Sequence, residues 1–363
     1  MVRPMNAHRF VASLFVLGTL HCGTSESTPP GPAGAANPPA AETPAKEDPP
    51  ATTPSDDTPD DEPSTALGRM NIARSLLSAV TGKDGNMRVV GGLTPKGLSR
   101  SVEAYDAKAN KWTESKSTSS ASRYALCSAV GTDGRVFVFG GSADGQSPLA
   151  VAESYDPTTD SWTKLTNMPT ARLGCAAATA PDGRIFVIGG RANDGEPLGT
   201  VDVFTPSDGK WSAGPSMPTA RLALTAVSVG ASIYAIGGRI GANEALDAVE
   251  VLDTTAGTWA AAPKLATARF WFGATVGGDG RIYAIGGLDG LGFLDSVEAL
   301  TPGQSSWTAA AALPEPRAWL AAATAADGTP YAIGGAIDDF GDTQPPPISS
   351  MLAYDSKKNS WKK

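Results

Sequence analysis

Residues 184–190 read R-I-F-V-I-G-G, an apolar run that ends on two glycines, and five related phrases occur elsewhere in the chain of 363 residues. The six glycine pairs follow one another at intervals of 48 or 49 residues. A period of about 50 residues is typical of one four-stranded blade of a β-propeller, so the repeat predicts the fold. The pairs are Gly91-Gly92, Gly140-Gly141, Gly189-Gly190, Gly237-Gly238, Gly286-Gly287 and Gly334-Gly335.

Each unit has the same internal order. An arginine opens a strand of small residues, an Asp-Gly-type turn follows, a second strand ends in the glycine pair, and a variable loop leads to a Val-Glu-x-Tyr-Asp-like strand and a tryptophan strand. Asp-Gly supplies the positive φ angles that a tight hairpin turn requires. The tryptophans are Trp112, Trp162, Trp211, Trp259, Trp307 and Trp361.

This pattern resembles the kelch repeat family, on the evidence of motifs such as Gly140-Gly141, Tyr155-Asp156 and Trp162. The resemblance covers residues of about 67 to 363 and implies an all-β, six-bladed propeller around a central channel. Leu67 to Met70 align with the link that the last unit lacks, so we expect this segment to complete or brace the last blade. The predicted blades are about 67–116, 117–165, 166–214, 215–262, 263–310 and 311–363.

The first 22 residues have the pattern of a signal peptide. Arg3 and Arg9 precede an apolar run that is too short to span a bilayer stably, and Cys22 follows it. The segment resembles a bacterial lipoprotein leader, which implies that Cys22 is lipidated and that the protein is exported to the cell envelope. Ordinary signal cleavage and an uncleaved anchor are the alternatives.

Residues 23–66 form a Pro-, Ala- and acid-rich linker with nine acids, one lysine and almost no large apolar side chain. Such a segment buries too little surface to offset the entropy of ordering, so it is predicted to be a disordered N-terminal tether. The linker holds most of the formal charge of −8, and the remainder of the chain is nearly neutral. No basic excess therefore suggests nucleic acid as a partner.

The two histidines, His8 and His21, both lie in the leader. The chain after Cys22 therefore has no Ser-His-Asp triad and no imidazole metal ligand, and we predict neither a metal nor a cofactor. Cys127 and Cys175 follow their opening arginines by four and three residues, so strand alternation directs their side chains to opposite sides. A disulfide between them is nevertheless possible in an oxidising compartment.

Antiparallel order places the opening arginines and the loops after the glycine pairs on one face of the propeller. We call this the loop face; its loops span 93–101, 142–150, 191–200, 239–248, 288–296 and 336–350. Its arginines either have a structural role or form a ring that receives anions, in which case acids of the loops compete for them. They are Arg74, Arg123, Arg172, Arg221, Arg269 and Arg317.

Two departures from the repeat mark candidate binding residues on the loop face. Trp271 and Trp319 stand two residues after their arginines, where three other units have Ala or Gly. They either pack as a plug of the channel or form an aromatic wall for a sugar ring, an aromatic side chain or a carboxylate. The last loop is also the longest, and it contains Phe340.

Three functions are compatible with the sequence. The first is a non-catalytic binding module, tethered to the envelope, that uses the loop face to bind a protein or a glycan. The second is an enzyme of the sugar epimerase or mutarotase type, which the resemblance implies and for which Glu196 or Glu244 would be the nearest acids. The third is a structural envelope protein. Because no catalytic constellation is found, we favour the monomeric binding module with no catalytic residues.

Overall fold

The structure is a computed structural model that describes residues 66–337 and 345–363. Within these ranges the chain contains strands and turns without any helix, so no helix there is suited to crossing a membrane. Six four-stranded antiparallel sheets follow one another along the chain and confirm the predicted six-bladed propeller. The predicted leader and linker up to residue 65, and Phe340, lie outside the described residues.

Each blade takes its four main strands from one repeat, in chain order from the inside to the outside. Two further pairs of short strands lie in loop regions. Blade 1 contains β1 (Ser78–Thr81), β2 (Met87–Val90), β5 (Val102–Asp106) and β6 (Lys111–Glu114), with the hairpin β3 (Leu93–Thr94) and β4 (Gly97–Leu98). Blade 2 contains β7 (Cys127–Val130), β8 (Val136–Phe139), β9 (Ala152–Asp156) and β10 (Ser161–Lys164). Blade 3 contains β11 (Ala176–Thr179), β12 (Ile185–Ile188), β13 (Val201–Thr205) and β14 (Lys210–Ala213).

The other three blades have the same order. Blade 4 contains β15 (Thr225–Val229), β16 (Ser232–Ile236), β17 (Val249–Asp253) and β18 (Thr258–Ala261). Blade 5 contains β19 (Gly273–Val276), β20 (Ile282–Ile285), β21 (Val297–Leu300) and β22 (Thr308–Ala310). Blade 6 contains β24 (Ala321–Thr324), β25 (Pro330–Ile333), β27 (Met351–Asp355) and β28 (Ser360–Lys362). The short strand β23 (Arg317–Ala318) before the blade pairs with β26 (Ala336–Ile337) at the start of its loop.

The side-chain pattern of each strand follows from its place in the blade. In blade 3 all four residues of β12, Ile-Phe-Val-Ile, are buried because neighbouring blades cover both faces of this second strand. The outermost strand β14 exposes Lys210, Ser212 and Ala213. Its Trp211 packs on Phe204 of β13 with ring centroids 4.9 Å apart. The turn between the first two strands contains Gly183 at φ +88°, as the Asp-Gly motif predicts.

The glycine pairs bind each blade to the next. Gly189 has φ +62°, and a Cβ atom there would lie 2.6 Å from the backbone oxygen of Arg221, the opening arginine of the following blade. The N–H of Gly190 donates to the same oxygen at 2.9 Å. The corresponding bond occurs at all six boundaries, including Gly335 N–H to the Arg74 carbonyl at 2.8 Å. The repeated glycines are therefore required for close contact between blades.

A second set of backbone bonds encircles the channel. The residue two positions after each opening arginine has a left-handed backbone, and its N–H donates to the equivalent carbonyl in the adjacent blade at 2.8–3.0 Å. We call these six residues the central belt. Its last bond, from Leu76 N–H to the Trp319 carbonyl, joins blade 1 to blade 6. The members are Leu76, Ala125, Gly174, Ala223, Trp271 and Trp319.

The N-terminal segment braces the junction of the first and last blades. Leu67 N–H donates to the Lys363 carbonyl at 3.3 Å, and Met70 N–H donates to the Ser349 carbonyl at 3.0 Å. The bond from Met70 repeats the one that Met168 makes within blades 2 and 3, to the Ala150 carbonyl. The segment contributes no strand to blade 6, because all four main strands of that sheet come from residues after 320.

Candidate functional site

The opening arginines do not lie on the surface of the loop face. All six side chains are at most 1% exposed, and each makes an ion pair. The acids that the sequence analysis considered as competitors in the loops are not their partners. In the first five blades the partner is instead an acid on the third strand of the same blade, at Glu103, Glu153, Asp202, Glu250 and Glu298.

Blade 2 shows what such an arginine does. Arg123 Nη2 lies 2.6 Å from Glu153 Oε2, while Nη1 donates to the carbonyls of Gly140 and Val151. The other carboxylate oxygen, Glu153 Oε1, accepts the Ser120 N–H at 2.8 Å. The ion pair thus connects the segment before the first strand of blade 2 to the end of the second strand and to the beginning of the third. Burial lowers the pKa of Arg123, and the charge of Glu153 opposes this effect.

Blade 6 departs from this arrangement. Its third strand has the apolar Leu352 at the position of the acid, and Arg317 pairs with Glu315, two residues before it in the chain. The Glu315 side chain is 30% exposed, whereas that of Glu153 is 1% exposed. Lys363 Nζ also reaches Glu315, at 3.4 Å. The acid of the last blade is therefore the most hydrated of the six partners.

Trp271 and Trp319 pack over the channel from the central belt. Both precede the first channel-lining strand of their blade and have φ angles of +50° and +57°, so they do not follow the strand alternation assumed from sequence. The Trp271 ring crosses to Gly174, where an added Cβ atom would be 3.0 Å from it. Trp319 contacts Phe293 edge-on, with ring centroids 5.2 Å apart, and is 5% exposed. Both rings line the axial cavity, and ligand binding by them stays a prediction.

A cavity of about 130 Å³ is lined by the two tryptophans and the innermost strands. Its wall consists of small and aliphatic residues with a few hydroxyls. Ser78 and Ser128 hydrogen-bond to each other across blades 1 and 2 at 2.7 Å, and Thr225 donates to the Phe272 carbonyl across blades 4 and 5. This volume accommodates a few water molecules. The cavity thus lies on the axis of the propeller, between the innermost strands of the six blades.

Cys127 and Cys175 form a disulfide in the wall of this cavity. Their Cα atoms are 5.7 Å apart, which is ordinary disulfide geometry. The expectation that the two side chains point to opposite sides is wrong. Cys127 is the first residue of β7, but Cys175 precedes β11, so strand alternation does not fix its direction. The bond covalently links blades 2 and 3.

The outer loop face presents two large aliphatic side chains to solvent. Ile240 is 39% exposed and Leu291 is 97% exposed, and they are the exposed large apolar residues of the part of the chain that the structure describes. Both lie in loops that follow glycine pairs, on neighbouring blades 4 and 5. The two loops touch, because Gly290 lies against the backbone oxygen of Asn243. A continuous surface thus extends across both blades.

The sequence analysis did not single out Arg191 and Arg239. Each directly follows its glycine pair, in blades 3 and 4. Arg239 is 6% exposed, and its guanidinium carbon lies 5.3 Å from the centre of the Phe270 ring. Its Nη1 donates to the carbonyls of Gly241 and Ala242. The sequence signal was available, since the other four units have Leu, Ser, Leu or Ala at this position.

The remaining predicted site residues are not gathered into a catalytic arrangement. Glu196 is an exposed residue in the loop of blade 3, and Glu244 is exposed in the loop of blade 4. Across residues 66–337 and 345–363, no three His, Cys, Asp or Glu side chains form a cluster suited to a metal ion. Phe340 and Cys22 lie outside the described residues.

Comparison with known families agrees with this architecture. Residues 62–238 match the model of the KLHDC2/KLHL20/DRC7 Kelch-repeats domain, and residues 220–266 and 273–314 match the Kelch motif. The chain is built of kelch repeats. The matched segments together cover more than half of its 363 residues and lie between residues 62 and 314, across the first five blades.

Two individual proteins are similar to this kelch-repeat chain. An F-box/kelch-repeat protein of Arabidopsis thaliana is 33% identical over 94 residues, which are 25% of this chain and 19% of that protein. The match therefore spans about a fifth of the plant protein. The solved structure of YjhT covers 81% of this chain and 98% of its own, with a TM-score of 0.68 and 18% identity. At that identity the likeness concerns the fold alone.

Proposed function

We propose that this protein is a non-catalytic binding module that uses the outer loop face of blades 3 to 5 to bind another protein. The observation that carries the proposal is the exposure of Ile240 and Leu291 on touching loops. Aliphatic side chains held in water by a rigid scaffold favour contact with an apolar surface. Kelch propellers commonly serve as scaffolds for protein interactions, which supports the same function.

A protein ligand fits this surface better than a glycan. Sugar rings are usually bound by stacking on aromatic side chains, and the two candidate tryptophans pack in the channel mouth. The exposed large apolar side chains of residues 66–337 and 345–363, Ile240 and Leu291, are aliphatic instead. The opening arginines are equally unsuited to capturing a ligand directly, because their charges are buried and paired.

The binding of defined probes tests this function. Residues 23–363 would be applied to an array of synthetic peptides and glycans, and the affinities of retained probes would be measured in solution. Leu291→Asp should weaken peptide binding at least tenfold, because it places a charge at the centre of the apolar contact. Ser207→Asp is a matched control, since Ser207 is exposed in a turn on the opposite face.

Two outcomes contradict the proposal. One is retention of the same peptides by Leu291→Asp with unchanged affinity, and the other is equal weakening by Ser207→Asp. Leu291 is almost fully exposed, so its substitution leaves the fold intact. If the protein retained only glycans, and neither Leu291→Asp nor Ser207→Asp altered their binding, the ligand would be a sugar and not a protein.

We further propose that the propeller is exported and anchored to the cell envelope by a lipid at Cys22. The leader pattern is one support. The disulfide between Cys127 and Cys175 is an independent one, because disulfides persist mainly in oxidising compartments outside the cytosol. Both features are compatible with export of the protein.

The anchor is tested by following the full chain during detergent phase partitioning of expressing cells. Wild-type protein should enter the detergent phase, and Cys22→Ser should move it to the aqueous phase, because the substitution removes the acceptor of the lipid. Cys127→Ser, in the same chain, controls for loss of a cysteine as such. Unchanged partitioning of Cys22→Ser would refute the lipid anchor.

A further inference from the structure

One of the six junctions between blades is built differently from the others. At every junction, the third residue after the opening arginine shares a buried cluster with the residue directly before the glycine pair of the preceding blade. In five junctions the third residue is large and apolar, and the residue before the glycine pair is Val or Ile. Between blades 2 and 3 the two residues are Cys175 and Phe139. The five large residues are Leu77, Leu126, Leu224, Phe272 and Leu320.

The large residue holds its blade against the preceding one. A Cβ atom added to Gly189 would lie 3.1 Å from Cδ2 of Leu224, so this leucine reaches from blade 4 to the glycine pair of blade 3. At the corresponding Gly140 of blade 2, the nearest side-chain atom is instead Cε of Met168, at 3.3 Å. Blade 3 therefore contributes no long side chain at this position of its junction with blade 2.

The disulfide takes the place of that contact. Cys175 is bonded to Cys127, the first residue of β7 in blade 2. The ring of Phe139 is larger than Val or Ile, but it belongs to blade 2, and blade 3 adds only the short cysteine. Because a cysteine side chain buries less apolar surface than a leucine, the covalent bond supplies the attachment that packing supplies at the other junctions.

Solvent approaches the disulfide from the axis of the propeller. Both cysteines line the axial cavity, and on their other side the core cluster of the junction covers them. Ser78, Ala177 and Thr225 in the wall of the same cavity are partly exposed, although they lie on the innermost strands. A small molecule that enters along the axis can therefore contact the sulfur atoms.

We propose that the disulfide is a reducible clasp: a small dithiol that enters the axial cavity reduces it, and the junction of blades 2 and 3 then loosens while the other five junctions stay closed. The clasp is separate from the surface of Ile240 and Leu291 and does not depend on a ligand there. It makes the rigidity of one junction respond to the thiol–disulfide balance around the protein.

The reduction is an ordinary thiol–disulfide exchange. A thiolate of the dithiol attacks one cysteine sulfur, the bond between the cysteines breaks, and the other cysteine leaves as a thiolate. The second thiol of the reductant then attacks its own sulfur in the mixed disulfide and releases a cyclic disulfide. Two electrons pass from the dithiol to the protein, and each cysteine thiolate takes up one proton.

The test uses the full chain with Cys22→Ser, which leaves Cys127 and Cys175 as its only cysteines. The folded protein is incubated in mild detergent with about 10 mM dithiothreitol and then alkylated with iodoacetamide. Mass spectrometry should find both cysteines alkylated. Amide hydrogen exchange of the reduced protein should be at least about tenfold faster in β7 and β11, and unchanged in β19 and β24 at the opposite junction.

Two variants separate the clasp from the packing that it replaces. Cys127→Ala with Cys175→Ala should exchange like the reduced protein, with or without dithiothreitol. Adding Phe139→Ile and replacing Cys175 by Leu instead gives the junction residues that other blades have. That triple variant should exchange in β7 and β11 like the oxidised protein, and dithiothreitol should have no effect on it. Melting temperatures establish that each variant is folded.

Three results would overturn the proposal. The first is a disulfide that dithiothreitol reduces only after urea has unfolded the propeller, since the cavity then gives no access to the bond. The second is complete reduction of the folded protein without faster exchange in β7 and β11. The third is an equal increase of exchange at all six junctions, which would make the bond a support of the whole ring. The first two results require no variant.

Discussion

Arg123 of blade 2 and Arg239 of blade 4 are both buried arginines near the loop face, yet their surroundings differ. Arg123 lies at a blade entry, is 1% exposed and is held by Glu153 at 2.6 Å. Arg239 starts the loop after a glycine pair, is 6% exposed, and contacts the carbonyls of Gly241 and Ala242 and the ring of Phe270. The first is a completed internal contact. The second leaves its charge uncompensated within the described chain.

The presence or absence of a carboxylate partner distinguishes a structural arginine from a candidate binding residue better than residue type does. Six arginines in step with the repeat suggest a charged ring, but each has an acid partner in its own blade. The arginines that break the repeat, Arg191 and Arg239, form no ion pair with a carboxylate of residues 66–337 or 345–363. In a repeat protein, a charge repeated with its counter-charge belongs to the scaffold. A charge that appears in one or two units alone is the better candidate for ligand binding.

Glu153→Ala should produce the largest effect on stability. It leaves Arg123 buried without its carboxylate and removes the acceptor of the Ser120 N–H, so the free energy of unfolding should fall by about 3–5 kcal/mol. Urea denaturation followed by tryptophan fluorescence measures the change. Glu114→Ala, an exposed position, serves as the control. A loss below about 1 kcal/mol would show that the ion pair has little structural weight.

Arg239→Gln should have the smallest effect on the free energy of unfolding. Glutamine is uncharged and can still donate to a loop carbonyl, so the free energy of unfolding should stay within about 1 kcal/mol of wild type or rise. The same urea titration measures it. Arg123→Gln, the parallel change in the scaffold, should destabilise strongly because Glu153 then loses its partner. Equal losses for the two glutamine variants would show that the two arginines contribute alike to stability.

Much of the fold could be predicted from the sequence, because glycine pairs and Asp-Gly turns require particular backbone angles. Gly189 must approach the next blade closely, and Gly183 must adopt a positive φ. The burial of the arginines was harder to predict. The order of the strands shows at which face of the propeller a residue lies, but it does not show the direction of a long side chain. The Val-Glu motif of the third strand held the missing information. Glu153 recurs as an acid in every blade but the last.

The tryptophans and cysteines show a second limit of sequence patterns. Alternation describes residues within a strand, but Trp271 and Cys175 both lie just before one. At Trp271 the backbone is left-handed, which turns the ring across the channel towards Gly174. Exposure of Ile240 and Leu291 likewise depends on loop conformation rather than on the repeat. These tertiary features decide where the candidate site lies.

The central belt has no first and no last member. Its bonds run from blade to blade and return from Trp319 to Leu76, while Leu67 N–H lies 3.3 Å from the Lys363 carbonyl where the chain closes on itself. Closure of the ring therefore does not depend on which blade comes first along the chain. A circularly permuted chain, with residues 67 and 363 joined by a short peptide and new ends at the exposed turn of Gly230 and Ala231, retains every contact between blades.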